Sequence, residues 1–301
     1  MSTKSEYRCG YVGLIGRPNV GKSTLLNHMI GQKISITSHK PQTTRHRILG
    51  IKTTDAAQFV YVDTPGLHKS GKHAMSRYLN RAAASTLADV DVVIFIIEAC
   101  YFSDDDAAVL KRLKDLKVPV VLAINKVDKL ANKDELLPFI NEMMTKMDFV
   151  AVLPISALKG VNLTELEQSL AKLLPVADAF FPEDQITDRN VRFLAAEIIR
   201  EKLTRILHQE LPYNLTVEIE QYKPEKEQTL IHALIWVERE NQKGIVIGNK
   251  GERLKEIGRQ SRLDIAKLID HRVHLELWVK VKEGWSDDER ALQSLGYKDE
   301  L

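Results

Sequence analysis

Gly16-Arg17-Pro18-Asn19-Val20-Gly21-Lys22-Ser23 lies between two stretches of different rhythm. Before it, Tyr11–Ile15 is a short apolar run that reads as a buried strand. After it, Lys22–Ile30 spaces its apolar residues as a helix does. A strand, a glycine-bearing turn and a helix in that order gather backbone N–H groups and a positive helix end around one point. The pattern G-x-x-x-x-G-K-[ST] therefore suits a polyphosphate. Lys22 would reach the outer phosphates as a point charge, and the Ser23 hydroxyl would ligate Mg²⁺.

The same alternation continues outward. Phe59–Val62, Asp91–Ile97, Val118–Ile124 and Val150–Ile155 are further short runs rich in Val and Ile. Between the runs lie helix-length segments at Ser76–Ala88, Ala107–Leu116, Glu135–Met147 and Leu163–Leu174, the last with Asn162 and Glu165 placed to cap it. Strands alternating with helices imply a mostly parallel sheet in a three-layer α/β domain. Pro175–Thr187 has two prolines and no period, which predicts a linker. The chain divides on this reading into a domain at 1–175, a linker at 176–188 and a second domain at 189–301.

The second part starts with an amphipathic helix over Asn190–Glu210. Leu215–Glu220 and Val273–Lys282 alternate strictly, and Ile231–Val237 is a further strand. Glu252–Asp270 reads as helix in two pieces, because Gly258 weakens a single one. The order α-β-β-α-α-β describes a small α+β domain.

Three more motifs stand at strand ends of the first domain. Asp63-Thr64-Pro65-Gly66 follows Phe59–Val62; Asp63 would hold Mg²⁺ through water, and the Gly66 N–H would touch the terminal phosphate. Asn125-Lys126-Val127-Asp128 follows Val118–Ile124. Its Asp128 carboxylate can accept from guanine N1–H and the N2 amino group, a donor pair that adenine does not offer. Asn125 would tie this loop to the phosphate loop, and the Lys126 stem would lie over the base. Ser156-Ala157 ends the last strand and would contact the base.

These four motifs together resemble a translational-class GTPase, and Lys40-Pro41-Gln42-Thr43-Thr44-Arg45 resembles the first switch segment of the Era family. The resemblance implies GTP and GDP as ligands, held by Gly16, Arg17, Pro18, Asn19, Val20, Gly21, Lys22, Ser23 and Thr24, by Asp63, Thr64, Pro65, Gly66 and Leu67, by Asn125, Lys126 and Asp128, and by Ser156 and Ala157. It implies Mg²⁺ ligation by Ser23, Asp63 and one switch threonine, Thr44 or Thr43, spacing alone not choosing between them. Leu67 stands where many small GTPases carry a water-orienting Gln, so no catalytic residue is assigned. Asn19 matches an asparagine that helps coordinate an activating K⁺ in the resembling class.

Gly248-Asn249-Lys250-Gly251 fits the G-x-x-G loop with which KH domains clamp RNA. From Arg239 to Arg262 seven basic residues (Arg239, Lys243, Lys250, Arg253, Lys255, Arg259, Arg262) face three acids (Glu240, Glu252, Glu256). The strand and helix order resembles a type II KH domain, with Gly248, Asn249, Lys250, Gly251, Arg253 and Lys255 as RNA contacts. The fold class expected is thus a P-loop GTPase domain followed by a type II KH domain. The resemblance further implies binding near the 3′ end of small-subunit ribosomal RNA, a role in small ribosomal subunit assembly, and peripheral association with the inner membrane. Trp278 and Trp285 are candidates to stack on bases.

Composition sets bounds on this reading. The chain has 301 residues, 44% of them hydrophobic and 28% charged, and a net charge of +2. That is an ordinary globular balance, so any nucleic-acid surface must be local. No apolar run approaches the ~20 residues of a bilayer span. The first residues carry charges and no secretory pattern, so the cytoplasm is the expected compartment and Lys298–Leu301 matches an ER-retention signal by coincidence. Two cysteines build no disulfide framework. A monomer that binds no DNA is expected.

Overall fold

The structure is a computed structural model and describes residues 6–38, 40, 43–65, 74–75, 77–79, 89–207, 214–295 and 297. They fall into two compact units. One is drawn from Met1–Ser35, Thr44–Lys69 and Leu79–Asp188, the other from Ile36–Thr43, Ser70–Tyr78 and Arg189–Leu301.

The first unit is built on a six-stranded sheet of β1 (Arg8–Ile15), β2 (Ile48–Thr53), β3 (Ala57–Asp63), β4 (Val92–Glu98), β5 (Val120–Asn125) and β6 (Ala151–Pro154), in the order β2-β3-β1-β4-β5-β6. All neighbours are parallel except β2, which runs antiparallel to β3 at the edge. Strands β3, β4 and β5 are buried almost throughout; β4 and β5 are the near-continuous aliphatic runs expected of strands covered on both faces. Its helices include α1 (Lys22–Ile30), α2 (Asp104–Leu113), α3 (Leu136–Met144) and α4 (Leu163–Leu173). Ser103 starts α2 with a capping box to Asp106, and three aspartates in the first turn meet the positive helix end.

Several local expectations change. The edge strand β2 was not expected, because Ile48–Thr53 is short and carries Gly50 and Lys52. Asn162 does not cap α4 with its side chain. It takes a left-handed φ of 57° and donates from Nδ2 to the Pro154 carbonyl at 2.7 Å. Most of Ser76–Ala88 lies outside the described residues.

The stretch 176–188 is packed onto the first unit. Cys9 N–H donates to the Pro175 carbonyl, Ala177 N–H to Tyr7, and Ile51 N–H to Ile186. Gln58, fully buried in β3, is the latch. Its Oε1 accepts from the Phe180 and Phe181 amides at 2.8 and 3.0 Å, and its Nε2 donates to the Phe181 carbonyl at 2.8 Å. Phe180 also stacks on Tyr11, 5.6 Å between centroids. The Gln58 amide, which offers both a donor and an acceptor, adds to these backbone bonds in holding the segment.

The second unit has a three-stranded sheet, β7 (Leu215–Pro224), β8 (Thr229–Val237) and β9 (Val273–Val281), with β7 antiparallel and β9 parallel to β8. Helices α5 (Val191–Ile206), α6 (Glu240–Ile247) and α7 (Glu252–Ile269) contribute to one core with Ile199, Leu203, Ile235, Val246 and Ile257 at its centre. A short α8 (Glu289–Ser294) follows β9. Two expectations are corrected. Helix α6 was not expected, and it supplies the first of the two consecutive helices that the sequence pattern places within Glu252–Asp270. Helix α7 is continuous through Gly258, where a Cβ would lie 3.5 Å from Leu277, so the small residue serves close packing on β9.

The Gln58 latch carries a prediction. Gln58→Leu leaves two amides and a carbonyl without partners, so hydrogen exchange of the Phe180 and Phe181 amides should accelerate by about tenfold or more. Unchanged exchange would contradict the latch.

Candidate functional site

The carboxyl ends of β1, β3, β5 and β6 deliver the four motifs to one rim of the sheet, where open α/β sheets bind ligands. Gly21 opens α1 with φ 108°, and a Cβ there would fall 2.3 Å from the Asn125 amide. Glycine is therefore required twice over, by conformation and by space. The Lys22 ammonium is buried and bonds the Gly16 and Arg17 carbonyls at 2.9 and 3.0 Å. Burial pushes Lys22 down to about 8, with Asp63 drawing it back up. Val20 is buried, Pro18 half-buried, and Asn19 is exposed with φ 65°. Thr24 is half-buried in the first turn of α1.

Asn125 joins three loops. Its Nδ2 donates to the Val20 carbonyl at 2.7 Å, and its Oδ1 accepts from Ala157 N–H at 2.9 Å. Asp128 is held by the Ser156 hydroxyl, which donates to Oδ1 at 2.5 Å. A carboxylate fixed in this way can still accept from a base edge with its second oxygen. Lys126, with a left-handed φ of 70°, donates to Glu98 at 2.8 Å. Glu98 also takes Arg17 of the phosphate loop at 3.1 Å. Burial opposes ionisation of Glu98, yet Lys126 and Arg17 hold its carboxyl below the usual range. Arg17 in addition pairs with Asp106 at 3.0 Å and lies 4.9 Å over the Tyr101 ring. Glu98 and Asp106 were not expected in the site; the one available signal for Glu98 was its place at a strand's carboxyl end.

A hydroxyl and carboxylate cluster forms the other half. Ser23 Oγ donates to Asp63 Oδ2 at 2.7 Å and lies 2.9 Å from Thr44 Oγ1. The Thr43 hydroxyl donates to the Lys40 carbonyl at 2.6 Å. Burial raises the Asp63 carboxyl, while Ser23, Lys22, Ser35 and Thr44 act to lower it. Asp63 Oδ1 is buried without a hydrogen-bond partner among the described residues. An unpartnered anionic oxygen beside two hydroxyls fits a hard, oxygen-seeking cation such as Mg²⁺. Thr64 is buried and donates to the Leu14 carbonyl at 3.2 Å; Pro65 is buried; Gly66 and Leu67 lie outside the described residues. Ser35 and Asn27, both unforeseen, complete this cluster. Ser35 Oγ donates to Asp63 Oδ2 at 2.8 Å, and Asn27 grips the backbone at Ile34 and Ser35. No other metal cluster competes: among the described residues no group of three His, Cys, Asp or Glu could hold an ion.

In the second unit, Gly248, Lys250 and Gly251 all have positive φ, 74°, 47° and 80°. Gly248 admits nothing larger, since a Cβ would meet Arg253 Cβ at 2.6 Å. The turn therefore projects Asn249 and Lys250 into solvent. It borders a cleft of about 660 Å³ between α7 and β9, floored by Leu254, Leu275 and Leu277 and edged by Lys255, Arg259 and Arg262. Glu252 and Glu256 also line the cleft, so three cations outnumber two acids; apolar floor and net-positive rim suit bases below and phosphates above. Arg253 donates to the Ile245 carbonyl and Arg259 pairs with Glu256 at 2.7 Å; both stay exposed, as do Lys250 and Lys255. Trp285 is buried against Tyr297 and stacks on no base, whereas Trp278 is 42% exposed.

A phosphate loop, a guanine-type base loop and an Mg²⁺-type cluster on one sheet, together with a KH-type fold carrying G-x-x-G, define a P-loop GTPase with an RNA-binding module. The comparisons agree. Residues 11–126 match the 50S ribosome-binding GTPase family, and residues 210–286 match the KH domain. GTPase Era of Pseudomonas fluorescens is 56% identical over 299 residues, covering 99% of this chain and 100% of that protein. GTPase Era of Pasteurella multocida is 57% identical over 293 residues, covering 97% and 96%. A crystal structure of Era with MgGDPNP and nucleotides 1506–1542 of 16S ribosomal RNA superposes with a TM-score of 0.93 at 41% identity, covering 97% of this chain and 99% of the other. An Aquifex aeolicus Era variant bound to GDP and AlF₄⁻ superposes with a TM-score of 0.92, covering 96% and 99%. The chain belongs to the Era family of GTPases.

The base loop yields a direct test. Asp128→Asn replaces an acceptor by a donor on the base edge, so preference should move from guanosine toward xanthosine nucleotides in competition binding. A variant that still prefers guanosine would remove Asp128 from that role.

Proposed function

We propose that this GTPase holds GTP and GDP with Mg²⁺ in the first unit and binds the 3′ end of small-subunit ribosomal RNA with the second. Its place would be in assembly of the small ribosomal subunit, with nucleotide state switching conformation and RNA interaction. The observation that carries the RNA half is the strained Gly248–Gly251 turn, which presents Lys250 beside an apolar cleft. The Era relative bound to nucleotides 1506–1542 of 16S ribosomal RNA supports the choice of RNA. The 50S description belongs to a family matched over residues 11–126 alone, a stretch without the KH groove, so it does not bear on which subunit's RNA is bound.

Each nucleotide contact has an assigned role in this proposal. Lys22 and the inward amides of Gly16–Ser23 neutralise the phosphates. Ser23, Thr44 and Asp63 hold Mg²⁺, which supplies charge neutralisation at the transferred phosphoryl group. Asp128 reads the base, braced by Ser156 and Asn125. The threonine of the first switch and the Asp63–Gly66 segment would respond to the terminal phosphate and relax when it leaves. A cytoplasmic, monomeric protein with peripheral inner-membrane association completes the proposal on the strength of the family. Among the described residues no helix is long and apolar enough to cross a membrane.

The test is RNA binding by fluorescence anisotropy with a single-stranded oligonucleotide of the 16S 3′ end, at several salt concentrations. Asn249→Asp with Lys250→Asp should weaken binding and lower the log–log salt slope by about 0.7 for the lost lysine contact. GTP hydrolysis without RNA should stay unchanged. Intact RNA affinity in this variant would refute the groove.

A further inference from the structure

We propose that Ser35 is a positioning residue for the Mg²⁺ ion, fixing the rotation of the Asp63 carboxylate so that Oδ1 is presented to the metal. The inference rests on reading Ser23, Thr44 and Asp63 as the Mg²⁺ site, and it goes beyond that reading because none of the motifs includes Ser35.

Helix α1 supplies the first half of the arrangement. Ser23 and Asn27 are four residues apart and share one helix face. Asn27 uses its whole amide on the chain that leaves the helix. Oδ1 accepts from the Ile34 and Ser35 N–H groups, both at 2.9 Å, and Nδ2 donates to the Ser35 carbonyl at 2.6 Å. Three bonds from one rigid side chain leave the Ser35 backbone little freedom. Its hydroxyl is thereby delivered, 1% exposed, to Asp63 Oδ2 at 2.8 Å.

That same oxygen accepts from Ser23 Oγ at 2.7 Å. Two donors converging on Oδ2 oppose rotation about the Cβ–Cγ bond, since a turned carboxylate would lose both. The partner oxygen, Oδ1, is buried and makes no hydrogen bond among the described residues. A buried carboxylate oxygen left bare is costly unless a cation or a cation-bound water meets it. The ring Ser23–Asp63–Ser35–Asn27, closed through one turn of α1, thus sets the direction of the ion's anionic partner. Outer partners of metal ligands commonly change metal affinity by about 10- to 100-fold when removed.

The test uses the full chain loaded with fluorescent GDP. Nucleotide release is followed while free Mg²⁺ is titrated, and Mn²⁺ binding to the GDP complex is measured by electron paramagnetic resonance. Ser35→Ala should raise the Mg²⁺ concentration for half-maximal retention, and weaken Mn²⁺, by about 10- to 100-fold. At saturating Mg²⁺ its nucleotide retention should match the parent chain, which also reports that the variant is folded. Ser35→Thr keeps the hydroxyl and should recover most of the loss. Asn27→Ala should reproduce the shift without touching Asp63, and it carries the test if Ser35→Ala does not fold. A folded Ser35→Ala or Asn27→Ala protein that is less heat-stable but has an unchanged Mg²⁺ and Mn²⁺ response overturns the proposal. A parent chain whose GDP release ignores Mg²⁺ overturns the reading of the Mg²⁺ site itself.

Discussion

The buried carboxamide of Asn125 is the interaction on which the nucleotide site depends. It stands at the end of β5, 2% exposed, and spans from the Val20 carbonyl to the Ala157 amide. One side chain thereby fixes the spacing between the loop shaped for phosphates and the loops shaped for a base. That spacing is a ruler, because a nucleotide's base and phosphates are joined by a ribose of set length. Gly21 is the complement of this contact, since any side chain there would displace the Asn125 amide. Glu98 supplies a second brace, pairing Arg17 of one loop with Lys126 of the other.

Charge is managed inside the same rim. Lys22 and Asp63 are both buried, and each would be costly alone. They moderate one another, as the opposing pulls on their protonation show. Hydroxyls from Ser23, Ser35 and Thr44 share the remaining burden on Asp63. Burial disfavours the charge on both groups and their mutual contacts offset part of that cost, in a site shaped for a polyphosphate and its cation.

Much of this could be read in the residues. The four motifs were legible because phosphate, Mg²⁺ and guanine each accept few side-chain types, and because the strand ends are marked by Val/Ile runs. The KH order was legible from strict alternation in β7 and β9. What escaped the sequence were residues whose role depends on a partner far along the chain. Gln58 looks like an ordinary strand polar residue until Phe180 and Phe181 return to it. Ser35 lies between two isoleucines, and nothing local announces Asp63. Gly258 reads as a helix breaker, yet the contact with Leu277 decides its use.

The central claim is that a loop of amides and one lysine binds the triphosphate while Asp128, held by Ser156 and spaced by Asn125, chooses the purine. Titration calorimetry of the intact chain with GTP and with ATP, both in Mg²⁺, tests it most directly. The account predicts clear GTP binding and an ATP affinity lower by about 10⁴-fold, as expected where a buried carboxylate would lose its donors. Equal affinities, or no heat with either nucleotide, would contradict it.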